Sequence, residues 1–306
     1  MRVFHTLEEF GATGTGASVA IGNFDGVHLG HASLLKGLGA YAATSQTIAT
    51  VLTFFPHPVE VLHPGTKLQR LSTAGEKLNL LESLGIDVVG VLPFDQAVAC
   101  IPPRQFFDRY LVEGLRTRSI HVGFNFTFGH QRSGNTDLLG EYCREAGIDL
   151  HIEPPFEING RRVSSSLIRG FLLEGDIRTA NSLLGRPYFL TGQVKKGDRR
   201  GRDLGFPTAN VRLPGDKLLP KNGVYVTRTT WQKQAFASVA NVGVRPTFGG
   251  DSEPRVEVHL LDFYTRLYDE WVTVEFVSRL RDERKFDSQA ALITQIQADV
   301  AAVRIS

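Results

Sequence analysis

The amino-acid sequence contains few cysteines and no long apolar run. Cys100 and Cys143 are the only cysteines among 306 residues, and two cysteines form neither a disulfide framework nor a zinc site. No apolar stretch approaches the roughly 18 residues of a membrane-spanning helix. The segment Met1–Phe10 includes Glu8 and Glu9 and lacks the apolar core of a signal peptide. We therefore expect a soluble, cytoplasmic protein that does not bind a membrane.

Neither sign of charge is in excess. The 34 Lys and Arg residues and 32 Asp and Glu residues leave a formal net charge of +2. This balance argues against a surface that coats nucleic acid and against a polybasic membrane anchor. Hydrophobic residues at 42% and charged residues at 22% are ordinary values for a globular protein. The length favours two domains, and a homo-oligomer is compatible with these values.

The first half of the sequence alternates between short apolar runs and helical patterns. This alternation is typical of βαβ units, so it predicts a doubly wound parallel sheet. A pair of short helices is predicted after these units, over Ser166–Leu184. The predicted strands are Ser18–Ile21, Thr47–Phe54, Val88–Leu92 and Ser119–Gly123, and the helical patterns lie near 30–43, 72–84, 103–115 and 137–146.

After Pro187 the pattern changes to β-branched or alternating runs separated by Gly, Pro, Asn and Asp. Such runs predict a small antiparallel barrel, which the apolar stripe of Ser288–Val303 follows as a terminal helix. We place the domain boundary here, which gives domains 1–186 and 187–306. The predicted barrel strands are Tyr188–Val194, Gly223–Trp231, Gln234–Val242, Val256–Leu261 and Trp271–Val277.

The segment from Asn23 to His31, with the sequence NFDGVHLGH, lies where the first predicted strand turns into a helix. Its glycines permit a tight turn and close approach of a ligand, and the N-terminus of the helix favours phosphate. His28 and His31 lie about one helical turn apart, and Gly30 is expected to leave space between their rings for a phosphate. A metal half-site and a pair of structural histidines are the alternatives, and neither explains the glycines.

Two further motifs follow predicted strands of the first domain. Pro56-His57-Pro58 follows the second strand, where the prolines disfavour helix and predict either a rigid functional loop or an ordinary turn. The segment 123–129 carries three Phe residues that could be ordinary core. Asn125 is the exception in that segment, because its amide can donate to a phosphoryl oxygen without adding negative charge.

The remaining motifs lie near the end of the first domain and within the second. The serines of 164–166 precede a helical run, so they are either N-caps or hydroxyl ligands of a triphosphate. No Walker A loop is present, because the candidate that ends at Gly197 is followed by Asp198. Glu257 and His259 share one face of a predicted strand, where an exposed glutamate is the simpler interpretation.

Together these motifs resemble those of the bacterial bifunctional riboflavin kinase/FAD synthetase family. GNFDGVHLGH resembles the HxGH signature of nucleotidyltransferases, and Arg161-Arg162-Val163-Ser164-Ser165-Ser166-Leu167-Ile168-Arg169 resembles their second signature. Pro207-Thr208-Ala209-Asn210 resembles the riboflavin kinase signature. The sequence departs from the family's pattern at Phe55, where an acidic residue is frequent, at Asn125, where Asp is frequent, and at Ser166, where Thr is usual. The resemblance covers nearly the whole chain.

The resemblance implies a bifunctional enzyme with a six-stranded kinase barrel. ATP would phosphorylate riboflavin to FMN and then adenylylate FMN to FAD, releasing pyrophosphate, with Mg²⁺ as cofactor. Glu257 would be the base of the kinase, His28 and His31 would be catalytic in adenylyl transfer, and Thr208 and Asn210 would bind Mg²⁺. The other implied nucleotide-binding residues are Asn23, Phe24, Gly26, Asn125, Arg161, Ser164, Ser165, Arg169, Gly197 and Gly205, and the implied flavin-binding residues are His57, Pro58, Phe128 and Arg245.

Two other functions are weighed against this one. The first is a nucleotidyltransferase that acts on another phosphate acceptor and uses its barrel only to sense flavin. The second is a flavin carrier or regulator with decayed sites, against which the intact His28, Thr208 and Glu257 count. No role is predicted for four further histidines, which are His63, His121, His130 and His151.

Overall fold

The computed structural model describes residues 1–11, 16–66, 68–196, 204–246 and 252–305. The chain divides into two compact units, Met1–Ser164 and Ser165–Ser306. This division reports contacts and not independent folding, so the domain boundary at 186/187 stays a prediction. Among the described residues, no helix is both long enough and apolar enough to cross a membrane.

The first unit is built on a six-stranded sheet in the order β1-β4-β3-β2-β5-β6, in which all neighbours are parallel. The four predicted strands are confirmed as β2 to β5, and two strands that we did not predict, β1 and β6, extend the sheet at its edges. The strands are β1 (Arg2–Phe4), β2 (Ala17–Ile21), β3 (Ile48–Phe55), β4 (Val88–Pro93), β5 (Thr117–Gly123) and β6 (Asp149–Glu153).

Both faces of this sheet are covered, which explains why β2 is buried along its whole length. Val19 and Ile21 pack into one core cluster, together with side chains of the π-helical segment Phe107–Gly114. Ala20, between them, packs into the opposite cluster. The helices of this unit are α1 (Leu7–Gly11), α2 (Leu29–Ser45), α3 (Pro58–Leu62), α4 (Ala74–Ser83), α5 (Gln96–Ala99), α6 (Pro103–Phe106) and α7 (Thr136–Ala146).

The second unit contains a closed antiparallel barrel in the order β10-β13-β12-β11-β14-β9, which confirms the predicted class and the six strands that the resemblance implied. The short strand β10 was missing from the pattern-based prediction. Two helices, α8 (Ser165–Glu174) and α9 (Ile177–Leu184), precede the barrel, and α10 (Gln289–Ile305) follows it. The barrel strands are β9 (Tyr188–Lys195), β10 (Ala209–Arg212), β11 (Gly223–Trp231), β12 (Gln234–Pro246), β13 (Ser252–Leu260) and β14 (Trp271–Arg281).

A stacked pair of histidines, His121 on β5 and His151 on β6, lies in the first unit. Their ring centroids are 4.4 Å apart and the rings are nearly parallel, at 11°. His121 is buried, and its Nε2 lies 3.2 Å from the hydroxyl of Ser119. Burial, followed by the charge of His151, lowers the pKa of His121 from 6.5 to about 4. His121 is therefore a neutral core residue at neutral pH.

The lowered pKa of His121 predicts that the first unit loses stability in acid. Between pH 6.5 and about 4 the unfolded chain binds a proton at His121 while the folded chain does not, so the free energy of unfolding falls as the pH falls. Urea unfolding of the parent chain and of His121→Gln between pH 7 and about 4 measures this effect. The Gln variant should show a smaller loss of stability across this range. Equal slopes in the two proteins would contradict the assignment.

Candidate active sites

The predicted site residues of the first unit follow strands that are neighbours in the sheet. The loop after β2, residues 23–28 and called the histidine loop below, ends at His28, and His31 follows in the first turn of α2. The loop after β3 carries His57, and the turn after β5 carries Asn125. In the sheet, β2 lies between β3, the next strand along the chain, and β5, which begins the other half of the sheet. This is the point where the strand order reverses, and open parallel sheets bind ligands at the carboxyl ends of the strands there.

The histidine loop is held in an uncommon backbone conformation. Phe24, Gly26 and Val27 have φ values of 49°, 77° and 39°, all in the left-handed region. Residues other than glycine rarely adopt this backbone region. Here the side chains of Phe24 and Val27 are only 2% and 3% exposed, so their packing in the core holds the backbone in this conformation. Burial of these two side chains therefore fixes the path of the backbone on the way to His28.

His28 is the N-cap of α2. Its Nδ1 accepts a hydrogen bond from the backbone N–H of His31, 3.2 Å away. A ring nitrogen that accepts is unprotonated, so the neutral ring carries its proton on Nε2 and can donate from there. The fold thus converts His28 into an oriented N–H donor at the N-terminus of a helix.

The rings of His28 and His31 stack face to face, with centroids 3.6 Å apart and an angle of 13°. The prediction that Gly30 leaves room for a phosphate between the rings is therefore wrong. Gly30 instead permits close packing, since a Cβ at this position would lie 3.3 Å from the His28 ring and 3.4 Å from Phe156. Among the described residues, no group of three or more His, Cys, Asp and Glu side chains could hold a metal ion.

A polar network that the sequence did not predict supports the histidine loop. The buried carboxylate of Asp25 accepts hydrogen bonds from the backbone N–H groups of Leu71 and Ser72, both at 3.1 Å. The Ser72 hydroxyl accepts in turn from the N–H of Gly26 at 3.0 Å. Asp25 lies within the recognised motif, but its partners are distant in sequence and only the fold brings them together.

His57 is the N-cap of α3. Its backbone is extended, as expected of a residue that precedes a proline, but a short helix and not a loop follows directly from Pro58. Pro58 occupies the first position of α3, where its missing N–H has no partner to lose. The His57 Nδ1 accepts from the N–H of Val59 at 3.2 Å, and Glu60 accepts from the N–H of His57 at 2.9 Å. Phe55 stays exposed beneath the guanidinium of Arg70.

The remaining predicted site residues of the adenylyl-transfer reaction lie in several elements. Asn125 is exposed in the turn after β5, whereas Phe128 is buried and packs near Phe106. The second signature is split between the units: Arg161 lies on the short strand β8 (Arg161–Arg162), which pairs with β7 (Glu157–Ile158), and Ser164 ends the first unit. The second unit begins at Ser165, the first residue of α8, and Arg169 lies on the same helix. The roles of all these residues stay predictions.

In the barrel, strand pairing places Asn210 of β10 directly opposite Glu257 of β13. A third residue, Arg255, joins them: its Nε and Nη2 donate to the Asn210 Oδ1 at 2.9 and 2.7 Å, and Nη2 lies 2.5 Å from a Glu257 oxygen. Sequence reasoning missed Arg255, although a residue two positions before Glu257 on one strand shares its face. The structure thus brings the predicted metal ligand and the predicted base into one cluster.

The loop before β10 is attached to the same face of the barrel. The ring of His259 lies with its Nδ1 2.8 Å from the carbonyl oxygen of Pro207 and contacts the ring of Phe206 edge to face. Thr208 follows Pro207 directly and is half-buried. Gly205 turns with a φ of 86°. Two predictions fall outside what the structure describes, namely Gly197 and the side chain of Arg245.

Comparison with known proteins agrees with both halves of the fold. Residues 12–167 match the family model of FAD synthetase, and residues 184–306 match that of riboflavin kinase. The bifunctional riboflavin kinase/FMN adenylyltransferase of Pseudomonas fluorescens is 40% identical over 94% of this chain and 92% of its own. The Bacillus subtilis protein of the same name is 38% identical, over 92% and 89%.

A solved structure matches along its whole length as well. The crystal structure described as a macrolide-efflux protein from Streptococcus pneumoniae aligns with a TM-score of 0.90 and 32% identity, covering 99% of this chain and 98% of that one. This likeness covers the residues of both units.

The parallel-sheet unit and the barrel define a flavin-nucleotide transferase with two catalytic units. The chain belongs to the family of bifunctional riboflavin kinase/FMN adenylyltransferases. It is therefore a transferase of flavin cofactor biosynthesis, which uses ATP to convert riboflavin to FMN and FMN to FAD. The family requires ATP and typically a divalent metal. These findings support neither the flavin-sensing nucleotidyltransferase nor the non-catalytic carrier.

Proposed function

We propose that riboflavin phosphorylation and adenylyl transfer are carried by two separate clusters of the side chains described above. The observation that carries the proposal is the geometry around Glu257, which lies opposite Asn210 and is ion-paired to Arg255. For the adenylyl transfer, the corresponding support is the oriented donor of His28. The substrates are riboflavin, FMN and ATP, and a cytoplasmic location fits the use of ATP.

In adenylyl transfer, an oxygen of the FMN phosphate attacks the α-phosphorus of ATP, and the bond to pyrophosphate breaks. Negative charge develops on the phosphoryl oxygens as this happens. Oriented N–H donors stabilise that charge without reorganising. In this chain we assign that role to His28, His31 and the amide of Asn125, and charge neutralisation to Arg161 and Arg169. Asn23, Phe24, Gly26, Ser164 and Ser165 complete the nucleotide site.

In the kinase reaction, the 5′-hydroxyl of riboflavin attacks the γ-phosphorus of ATP and ADP leaves. Glu257 accepts the hydroxyl proton, and its ion pair with Arg255 fixes the orientation of the carboxylate. The Thr208 hydroxyl and the Asn210 Oδ1 would hold Mg²⁺, which prefers oxygen ligands; in this structure the Asn210 Oδ1 accepts hydrogen bonds from Arg255. When bound, Mg²⁺ neutralises charge on the ATP phosphates. Arg245 is assigned to flavin binding in this unit, and the segment from Gly197 to Gly205 to nucleotide binding. His57, Pro58 and Phe128 are assigned to flavin binding in the first unit, where FMN is adenylylated.

The assay that tests this assignment follows all flavins in one reaction. The full-length protein is incubated with riboflavin, ATP and Mg²⁺, and riboflavin, FMN and FAD are separated at successive times. FMN should accumulate before FAD, and omission of Mg²⁺ should stop both reactions. Formation of FMN with Ca²⁺ but not with Mg²⁺ would count against the proposed metal.

The kinase unit should work by itself. A fragment of residues 187–306 is expected to phosphorylate riboflavin and to make no FAD, because it carries the whole barrel cluster and no histidine loop. The matched control is a fragment of residues 165–306, which keeps α9. In that helix the Asn181 side chain donates a hydrogen bond to the carbonyl oxygen of Phe276 and accepts one from the N–H of Tyr188. Product analysis of both fragments checks this. A soluble, folded fragment that lacks kinase activity would show that the barrel is not self-sufficient.

A further inference from the structure

The ammonium group of Lys77 lies directly behind the histidine loop. Lys77 is on α4, and its Nζ donates to the backbone carbonyl oxygen of Asn23 at 2.8 Å. The hydroxyl of Thr53 lies 3.4 Å from the same oxygen. Asn23 precedes Phe24, the first residue of the loop with a left-handed backbone. Lys77 therefore holds the loop at the point where its uncommon conformation begins.

The start of α4 is fixed to the same loop by independent bonds. Thr73 and Glu76 form a reciprocal capping box, with distances of 3.2 and 2.9 Å. The two residues before this box, Leu71 and Ser72, are held by the carboxylate of Asp25. The segment that leads into α4 is thus anchored to the loop that Lys77 contacts, and the capping box fixes the first turn of the helix on that segment.

The contact with Asn23 sets the direction of one peptide group. A trans peptide is planar, and its C=O and N–H point to opposite sides. Because the Asn23 carbonyl points toward Lys77, the N–H of Phe24 points away from it. Within the described part of the chain, no acceptor is found for this N–H. It is a backbone donor in the loop that leads to His28.

We propose that Lys77 is a positioning residue for adenylyl transfer, which fixes the peptide between Asn23 and Phe24 so that the loop presents its N–H donor and the His28 ring to the nucleotide phosphate. The inference rests on the proposed function of the histidine loop. In this role Lys77 acts through the Asn23 carbonyl group of the loop and not directly on the reacting atoms.

The charges around Lys77 are mixed. Asp25 faces it from the loop and favours the protonated amine, whereas Arg70, from the segment before α4, disfavours it. Desolvation is the largest effect and lowers the pKa of Lys77 below its ordinary value of 10.5. The protonated, donating form is therefore lost as the pH rises through this lowered pKa.

The test compares steady-state FAD synthesis from FMN and ATP in four proteins. These are the parent, Lys77→Met, Lys77→Arg and Lys36→Met, a matched control that removes an exposed lysine of α2. Lys77→Met should lower kcat by about 10- to 100-fold, since a small misplacement of the loop costs this much. Lys77→Arg keeps a charged donor and should recover most of the rate, and Lys36→Met should equal the parent. Riboflavin phosphorylation should be unchanged in all four.

The pH profile separates a positioning role from a structural one. The parent should lose FAD synthesis at alkaline pH below 10.5, whereas Lys77→Arg should keep it to higher pH because the guanidinium does not deprotonate. If Lys77→Met does not fold, the profile of Lys77→Arg decides alone. The proposal would be overturned if FAD synthesis by Lys77→Arg fell at the same alkaline pH as FAD synthesis by the parent.

Two further outcomes are decisive. If Lys77→Met makes FAD within about twofold of the parent rate, Lys77 does not position the loop. His28→Ala, measured alongside, distinguishes this failure from that of the proposed function. A loss of FAD synthesis in His28→Ala without a loss in Lys77→Met rejects only the role of Lys77. Full FAD synthesis in His28→Ala rejects the proposed function of the loop itself.

Discussion

Replacing Glu257 with Gln is expected to lower riboflavin phosphorylation by about 10²- to 10⁴-fold, the usual contribution of a general base. Gln keeps the shape of the side chain and can still accept a hydrogen bond from Arg255, but it is a far poorer proton acceptor. The rate should be measured with riboflavin and ATP under conditions where the chemical step limits turnover. Supplying FMN directly should restore FAD synthesis, because the histidine loop is untouched.

Glu275→Gln is the matched control for this variant. Like Glu257, Glu275 lies on a barrel strand and is paired with an arginine, Arg228, at 2.6 Å. It belongs to β14, which is not a neighbour of β10 or β13. Its replacement should leave both activities near the parent values. Glu257 is not the base if Glu257→Gln phosphorylates riboflavin as fast as Glu275→Gln does.

Replacing His28 or His31 with Ala is expected to reduce FAD formation by about 10²- to 10³-fold, as the loss of one donor to developing phosphoryl charge typically does. FMN formation should stay near normal, because the kinase cluster lies in the other unit. The measurement compares both activities in the same preparation. His5→Ala, which removes an exposed histidine of the first unit, serves as the control.

The capping role of His28 needs a second variant, because His28→Ala also removes the N-cap of α2, at a cost of about 1 kcal/mol. His28→Asn restores a cap but places no donor where the Nε2 lies. It should therefore recover thermal stability without recovering FAD synthesis. Recovery of both would show that His28 acts only as a cap, and equal loss of FMN and FAD formation would indicate a general structural role.

The elements that the sequence predicts best are those with both faces buried. β2 and β3 are recognisable because two covered faces require an almost continuous apolar run. β6 was missed because it is an edge strand with the mixed sequence Asp-Leu-His-Ile-Glu, and β10 because it has only four residues. Their positions are set by pairing with distant strands, which no local pattern contains.

The site was predictable as a set of motifs but not as a geometry. The loop after β2 and the strand that carries Glu257 were found from short patterns and the family resemblance. The face-to-face stacking of His28 and His31 could not be read from their spacing, which permits open rings as well. Asp25 and Ser72 are 47 positions apart, so only the folded sheet shows that they meet.

The central claim is that one chain carries two separate catalytic clusters, and a mixing experiment tests it most directly. Glu257→Gln and His28→Ala are each incubated with riboflavin, ATP and Mg²⁺, and then both variants are incubated together. Each variant alone should form little FAD, since the first makes little FMN and the second cannot adenylylate it efficiently. The mixture should convert riboflavin to FAD at a rate approaching that of the parent, because FMN released by one variant is used by the other. A mixture that forms no more FAD than the separate variants, although each retains its own second activity, would contradict the account.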